Sequence, residues 1–288
     1  MVDVKRSVDR VAVIGTGAIG SAVVRRLLAG GGDVVVWNRT ASRSAELVEA
    51  GALLAGSVGE AVSSSALTLL TLKDYAAVQQ CVAQFDSDLS GRTIVVMCTG
   101  TASDARLAAQ RVTSLGARYL DAGIQTSPEW IGTDAATILY SGSRDAFELH
   151  ITTLESLSRP RFVGSAPGAA AVWDLALFGV WYDAQLGLLR ALDTAREAGI
   201  DVVEFADTVG AQLGHVVTSV PATVSEMLQA DYPPGPADLT EHLTVVRYLV
   251  ELRAGRRLGD GGLAGVATSI EALIADGRGG EGLTATIG

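Results

Sequence analysis

Val11-Ala12-Val13-Ile14-Gly15-Thr16-Gly17-Ala18-Ile19-Gly20 is the stretch that decides the fold of this chain. An apolar run of strand length ends in a Gly-x-Gly-x-x-Gly turn, and a helix-like stretch follows to about Ala29. A second apolar run, Val34–Trp37, ends in Asn38-Arg39-Thr40. The three glycines permit a tight turn, close approach of backbone to a pyrophosphate, and close packing of helix on strand. The pyrophosphate sits on the helix N-terminus, where unpaired N–H groups point at it. Such a motif alone is weak. Here it follows a strand, opens a helix and has a second strand at the right distance. Gly15, Thr16, Gly17, Ala18, Ile19 and Gly20 are therefore expected to hold a dinucleotide. An Asp or Glu after the second strand would hold the ribose 2′-hydroxyl of NAD. Asn38 stands there instead, with Arg39, Thr40 and Arg43 behind it. A carboxylate repels a 2′-phosphate, whereas a guanidinium fork binds one in bidentate fashion. NADP(H) is the expected cofactor. The competing reading is that Arg39 and Arg43 are only solvated residues at a helix start.

Working outward, strand and helix patterns alternate. Apolar runs recur at Ala66–Leu72, Thr93–Met97, Arg118–Ala122 and Ala136–Tyr140, with helix-like segments at Ser42–Ala50, Asp74–Gln84, Ser103–Leu115 and Asp145–Leu157. This alternation predicts a parallel, doubly wound sheet. In such sheets ligands lie beyond the carboxyl ends of the strands. Thr71-Leu72, Cys98-Thr99-Gly100-Thr101 and Asp121-Ala122-Gly123-Ile124 fall there. Thr71, Leu72, Thr99 and Thr101 are accordingly expected near the cofactor, though the polar ones also suit simple turns.

The alternation stops near Gly168. Val172, Leu175, Ala176, Gly179, Leu186, Leu189 and Leu192 recur at helical spacing to about Gly199. Some 30 residues give a helix of about 45 Å, longer than a small domain covers. Further helices are predicted at Val202–Leu228, with a break or kink at Pro221, at Leu239–Gly255 and at Leu263–Asp276. The chain thus reads as an α/β Rossmann NADP-binding domain (1–167), a long interdomain helix (168–199) and an all-α C-terminal domain (200–288).

Composition narrows the function. The net charge is −10 over 288 residues and the pI is near 4.8, which argues against nucleic acid or an anionic membrane as partner. Cys81 and Cys98 are too few for a disulfide framework. Met1–Arg10 is too polar for a secretory signal. Ala169–Trp181 is too short to span a bilayer and is interrupted by Asp174. A cytoplasmic enzyme is expected. The mean hydropathy of +0.32 is high for a monomer and favours surface buried between subunits. His215 and His242 are isolated, so no metal site is expected.

Four motifs occur in the order seen in bacterial imine reductases of the β-hydroxyacid dehydrogenase superfamily. They are Gly15–Gly20 with Trp37-Asn38-Arg39-Thr40; Tyr119-Leu120-Asp121-Ala122-Gly123-Ile124; Leu139-Tyr140-Ser141-Gly142-Ser143; and Val172-Trp173-Asp174-Leu175-Ala176-Leu177. The chain resembles that family over nearly its whole length. The resemblance implies NADPH-dependent reduction of the C=N bond of cyclic imines or iminium ions; the long helix and the high mean hydropathy suggest a domain-swapped homodimer. It places Asp174 where many members have a key aspartate and Tyr182 where others have a tyrosine. Reductive aminases of the family also carry an Asn after the fourth strand, where this chain has Cys98-Thr99-Gly100-Thr101.

Hydroxyacid dehydrogenases of the superfamily use a lysine on the interdomain helix. This chain has only Lys5 and Lys73, and neither can lie there. Asp174 and Tyr182 are eight residues apart, so they project about 12 Å apart along the helix and about 80° around it. A carboxylate stabilises an iminium and can deliver its proton, whereas an ammonium repels it. Trp130, Trp173, Phe178 and Trp181 are candidates for aromatic walls or for ordinary packing, and Glu129 is a further nearby acid. Two other readings stand beside imine reduction: a keto or hydroxy acid reductase with an unusual acid–base group, and a non-catalytic NADPH-binding sensor.

Overall fold

The computed structural model describes residues 10–85 and 88–288; Lys5 and the first nine residues lie outside them. The chain falls into two compact units that divide at Phe178/Gly179.

In the first unit the strands are β1 (Val11–Ile14), β2 (Val34–Trp37), β3 (Leu53–Leu54), β4 (Leu67–Leu70), β5 (Thr93–Val96), β6 (Arg118–Gln125), β7 (Thr137–Gly142) and β8 (Arg159–Gly164). Among the described residues they form one sheet in the order β3-β2-β1-β4-β5-β6-β7-β8. The order reverses between β1 and β4, the switch point at which such sheets bind dinucleotides. The intervening helices are α1 (Ala18–Ala29), α2 (Ala45–Glu49), α3 (Val58–Ser63), α4 (Tyr75–Val82), α5 (Ala102–Ser114), α6 (Arg144–Leu149) and α7 (Ile151–Leu157). Alternate strand residues enter different cores. Val11 and Val13 join Val34, Val36 and Val95 in one cluster. Ala12 and Ile14 join Val35, Ile94 and Val96 in the other. A sheet covered on both faces requires this, and it is why these strands read as continuous apolar runs.

The sheet departs from the all-parallel expectation at one place. β6 pairs with β7 antiparallel, and β8 then runs parallel to β7. The physical reason is the connection. A parallel crossover normally carries a helix, whereas residues 126–136 hold only a short 3-10 turn at Pro128–Trp130. β6 also runs on to Gln125, so Asp121, Gly123 and Ile124 lie within the strand rather than past its end.

α8 (Ala169–Glu197) starts in the first unit. A helix leaves its first N–H groups without internal partners. Here Oδ2 of Asp121 accepts from the N–H of Ala171 (3.1 Å), and the Ser141 hydroxyl accepts from the N–H of Ala170 (3.0 Å). The Tyr75 hydroxyl donates to Oδ1 of Asp121 (2.5 Å), with the Tyr119 hydroxyl 3.5 Å from the same atom. Asp121 is almost wholly buried. Burial pushes its carboxyl up to about 6, although the bonds from Tyr75 and Ala171 pull the other way.

In the second unit the rest of α8 is followed by α9 (Val202–Gln229), α10 (Leu239–Leu252) and α11 (Leu263–Ala275). Asp201 caps α9, and Asp238 with Glu241 forms a capping box on α10. Leu239, Leu243, Val246, Ala267, Ile270 and Ala285 make this unit's core. α9 continues through Pro221, so the expected break does not occur. Proline removes one hydrogen bond, to the Val217 carbonyl, and the flanking turns are retained. Among the described residues no helix is long and apolar enough to cross a membrane.

Asp121 gives the fold a pH signature. Its carboxyl titrates near 6 in the folded chain and near 3.9 in an unfolded one. Between those values the folded state keeps a proton that the unfolded state has released. Stability therefore falls as pH rises from about 4 to about 6, by at most about 3 kcal/mol. Asp121→Asn cannot ionise, so its unfolding free energy relative to wild type should rise over that window. Urea unfolding of both proteins at pH 4 and pH 7 checks this; a difference independent of pH would refute it.

Candidate active site

The turn between β1 and α1 is built around glycines that nothing larger replaces. Gly15 has φ +101°, and a Cβ on it would overlap the Thr71 carbonyl oxygen. A Cβ on Gly20 would overlap the Gly15 carbonyl, to which Thr71 Oγ1 donates over 2.6 Å. Thr71 thus clamps the turn from the end of β4. Gly17 differs: it is the N-cap of α1, no side chain caps the helix there, and a Cβ would meet nothing within 4 Å. The start of α1 thus carries backbone N–H groups without a side-chain cap, and the space beside Gly17 is open. That arrangement fits a pyrophosphate.

Asn38 organises the loop beyond β2. Its Oδ1 accepts from the N–H of Thr16 (3.2 Å) and its Nδ2 donates to the Thr40 carbonyl (2.9 Å). An Asp could accept the first bond but could not donate the second. Asn38 therefore orders the loop without adding negative charge. Arg39, Thr40 and Arg43 are exposed, and among the described residues neither arginine makes an ion pair. Two unpaired guanidiniums on an ordered loop suit a 2′-phosphate.

Between these parts and β5 lies a cleft of about 240 Å³ beyond the carboxyl ends of β4 and β5. Ile19, Thr71, Leu72 and Thr99 line it, joined by Cys98, Ile124 and Thr126. Thr101 lies at the start of α5. It caps this helix, sharing a capping box with Asp104. Burial pushes the Cys98 thiol up to about 12, so it stays protonated and is no nucleophile near neutral pH.

Asp174 belongs to the α8 segment of the first unit and is 1% exposed. Its Oδ1 accepts from Nε2 of Gln125 (2.6 Å), and the Thr99 side chain hydrogen-bonds the same carboxylate. Burial raises its carboxyl above the usual range, and those two bonds oppose the shift. Gly123 makes the approach possible, because a Cβ there would lie 2.8 Å from the Asp174 Cβ. Among the described residues no cation pairs with Asp174. Tyr182 lies in the second unit and is 56% exposed. Its ring is edge-on to Trp181 at 4.9 Å, and its hydroxyl makes no hydrogen bond among the described residues. Trp130 and Trp173 are exposed, with Arg161 stacked 5.3 Å from the Trp173 ring. Glu129 is exposed, and a hydrogen bond from Ser127 holds its carboxyl below the usual range. Lys73 is exposed and pairs with Asp74. No group of three or more His, Cys, Asp or Glu side chains among the described residues is placed to hold a metal.

Sequence reading missed Gln125, Gly123 and the capping role of Asp121. One signal was available for Gly123: a glycine inside a strand marks close approach by another backbone or side chain.

Residues 10–165 match the family described as the NAD binding domain of 6-phosphogluconate dehydrogenase. Residues 166–288 match the NADPH-dependent reductive aminase-like C-terminal domain. The NADPH-dependent reductive aminase of Aspergillus oryzae is 29% identical over 96% of this chain and 95% of its own. An imine reductase from Pseudomonas sp. is 30% identical, with TM-score 0.87 over 97% of this chain and 98% of that one. A reductive aminase from Aspergillus terreus, solved with NADPH and ethyl-5-oxohexanoate, is 29% identical, with TM-score 0.88 over 98% and 99%.

Proposed function

The chain belongs to the imine reductase family, with an NAD-binding domain of the 6-phosphogluconate dehydrogenase kind, and we propose that Asp174 is the residue that carries its reduction of C=N bonds. The observation behind the proposal is a buried carboxylate with no cation beside it, hydrogen-bonded to Thr99 at the cofactor cleft. Desolvating a charge without purpose is costly, and a carboxyl that burial raises, beside a cleft, marks a functional candidate.

NADPH, when bound, would supply the hydride. The residues of this chain do the rest. Gly17 and the start of α1 take the pyrophosphate, and Arg39, Thr40 and Arg43 take the 2′-phosphate. A protonated imine is the better hydride acceptor, and the Asp174 carboxylate stabilises that charge. Burial raises its proton affinity above that of an ordinary carboxylate, which suits it to hold or deliver the iminium proton. Tyr182 orients the substrate or shares the proton. The absence of a lysine on α8 separates this chemistry from that of a hydroxyacid dehydrogenase.

The assembly proposed is a domain-swapped homodimer. α9 has no buried residue, and Val203 and Leu228 on it are both 77% exposed. Val216, Val217 and Val220 are exposed as well. Most helices owe their stability to packing of an apolar face, and one that also carries an internal proline needs it more. A second copy of the chain supplies the missing cover. Light scattering should give twice the 29.7 kDa chain mass; a fully active monomer would exclude the dimer. The two free thiols, Cys81 and Cys98, favour the cytoplasm, where thiols stay reduced.

One assay tests the reaction and the cofactor together. NADPH oxidation should be faster with 1-pyrroline or a dihydroisoquinoline than with a keto acid, and faster with NADPH than with NADH. In Arg39→Ala the KM for NADPH should rise about tenfold, the loss of a charge-assisted pair worth roughly 1.5–3 kcal/mol, with little change for NADH. A wild-type enzyme that prefers a keto acid to every imine sinks the assignment.

A further inference from the structure

A carboxylate has two oxygens, and its chemistry depends on which one meets the substrate. Gln125 closes β6, and its Nε2 donates to Oδ1 of Asp174 over 2.6 Å. Gly123 lies two residues earlier on the same strand face; a Cβ on it would sit 3.0 Å from that same oxygen. Oδ1 is thus enclosed by β6 on one side and engaged by an amide that only donates through its nitrogen. The carbonyl oxygen of a carboxyl is its better acceptor, so the Gln125 bond biases a proton on Asp174 toward Oδ2. We propose that Gln125 is a positioning residue for C=N reduction: it holds Oδ1 as an acceptor and turns Oδ2 toward the substrate nitrogen. The inference rests on the reading that Asp174 meets that nitrogen.

The surroundings give Gln125 leverage. The titratable groups that feel the Asp174 charge are Asp121, on the same strand as Gln125, and the Cys98 thiol beside Thr99. The Asp174 charge raises both of these groups, and neither is a cation that would favour its anion. Among the described residues only the Gln125 and Thr99 hydrogen bonds favour the anion, against burial. Removing the Gln125 donor therefore raises the pH at which Asp174 loses its proton.

A substrate with fixed charge reads this directly. With an N-alkylated iminium, the hydride adds to carbon and the π electrons become the nitrogen lone pair. No proton moves, and only the charge on Asp174 matters. The experiment follows kcat/KM for N-methyl-dihydroisoquinolinium with saturating NADPH between pH 5 and pH 9. Wild type, Gln125→Leu and Gln125→Glu are compared. In parallel, calorimetry on the NADP+-loaded proteins measures the Kd of N,N-dimethyl-tetrahydroisoquinolinium, which cannot react. In wild type both quantities should worsen as pH falls through the Asp174 transition. In Gln125→Leu both midpoints should move up by about one pH unit, an approximately tenfold loss below the transition. Gln125→Glu, which keeps size and polarity and adds a like charge, should move them at least as far, and it decides the matter if the Leu variant fails to fold. Midpoints unchanged in the folded variants overturn the role of Gln125 and leave that of Asp174 standing. A wild-type enzyme with no acid transition in either measurement overturns both.

Discussion

The N-terminus of α8 is held by one buried carboxylate, and the site follows from that contact. Asp121 accepts from the N–H of Ala171 and from the Tyr75 hydroxyl. A buried acid survives only when hydrogen-bonded, and the positive end of a helix is a favourable place for it. With its start fixed on β6, α8 brings Asp174 against the same strand three residues later. The alternation of β6 does the rest. Asp121, Gly123 and Gln125 share one face. The first caps α8, the second leaves room for Asp174, and the third binds it.

The two acids differ because their partners differ. Both are buried and both are pushed toward the neutral form by burial. Asp121 is tied to backbone at a helix end and to a tyrosine, which suits a structural anchor. Asp174 is held by two side chains, one of which lines the cleft beyond β4 and β5. An acid bound only by side chains keeps bonding capacity for a ligand. Environment, not residue type, separates the two.

How much of this was legible follows from where the physics is local. The β1–α1–β2 unit was readable because turn, strand and helix signals lie within a few dozen adjacent residues. Asn38 was readable as a missing carboxylate, but its bonds to Thr16 and Thr40 were not. β3, only Leu53–Leu54 and exposed on both residues, left no periodicity to find. β8 carries Arg159-Pro160-Arg161, which interrupts any apolar run. The antiparallel β7 was invisible because strand direction is set by what a connection contains. Asp174 stood out as a lone acid in an apolar helix. Gln125 did not, since its partner is 49 residues away along the chain.

The account turns on Asp174, and replacing it by Asn tests it most directly. Asp174→Asn keeps the shape and loses both charge and acid. On one cyclic imine, with Tyr182→Phe measured beside it, kcat for Asp174→Asn should fall by about 10²–10⁴, NADPH affinity should hold nearly constant, and Tyr182→Phe should cost less. A larger loss in Tyr182→Phe would make the tyrosine the proton donor. Near wild-type kcat in Asp174→Asn would contradict the account.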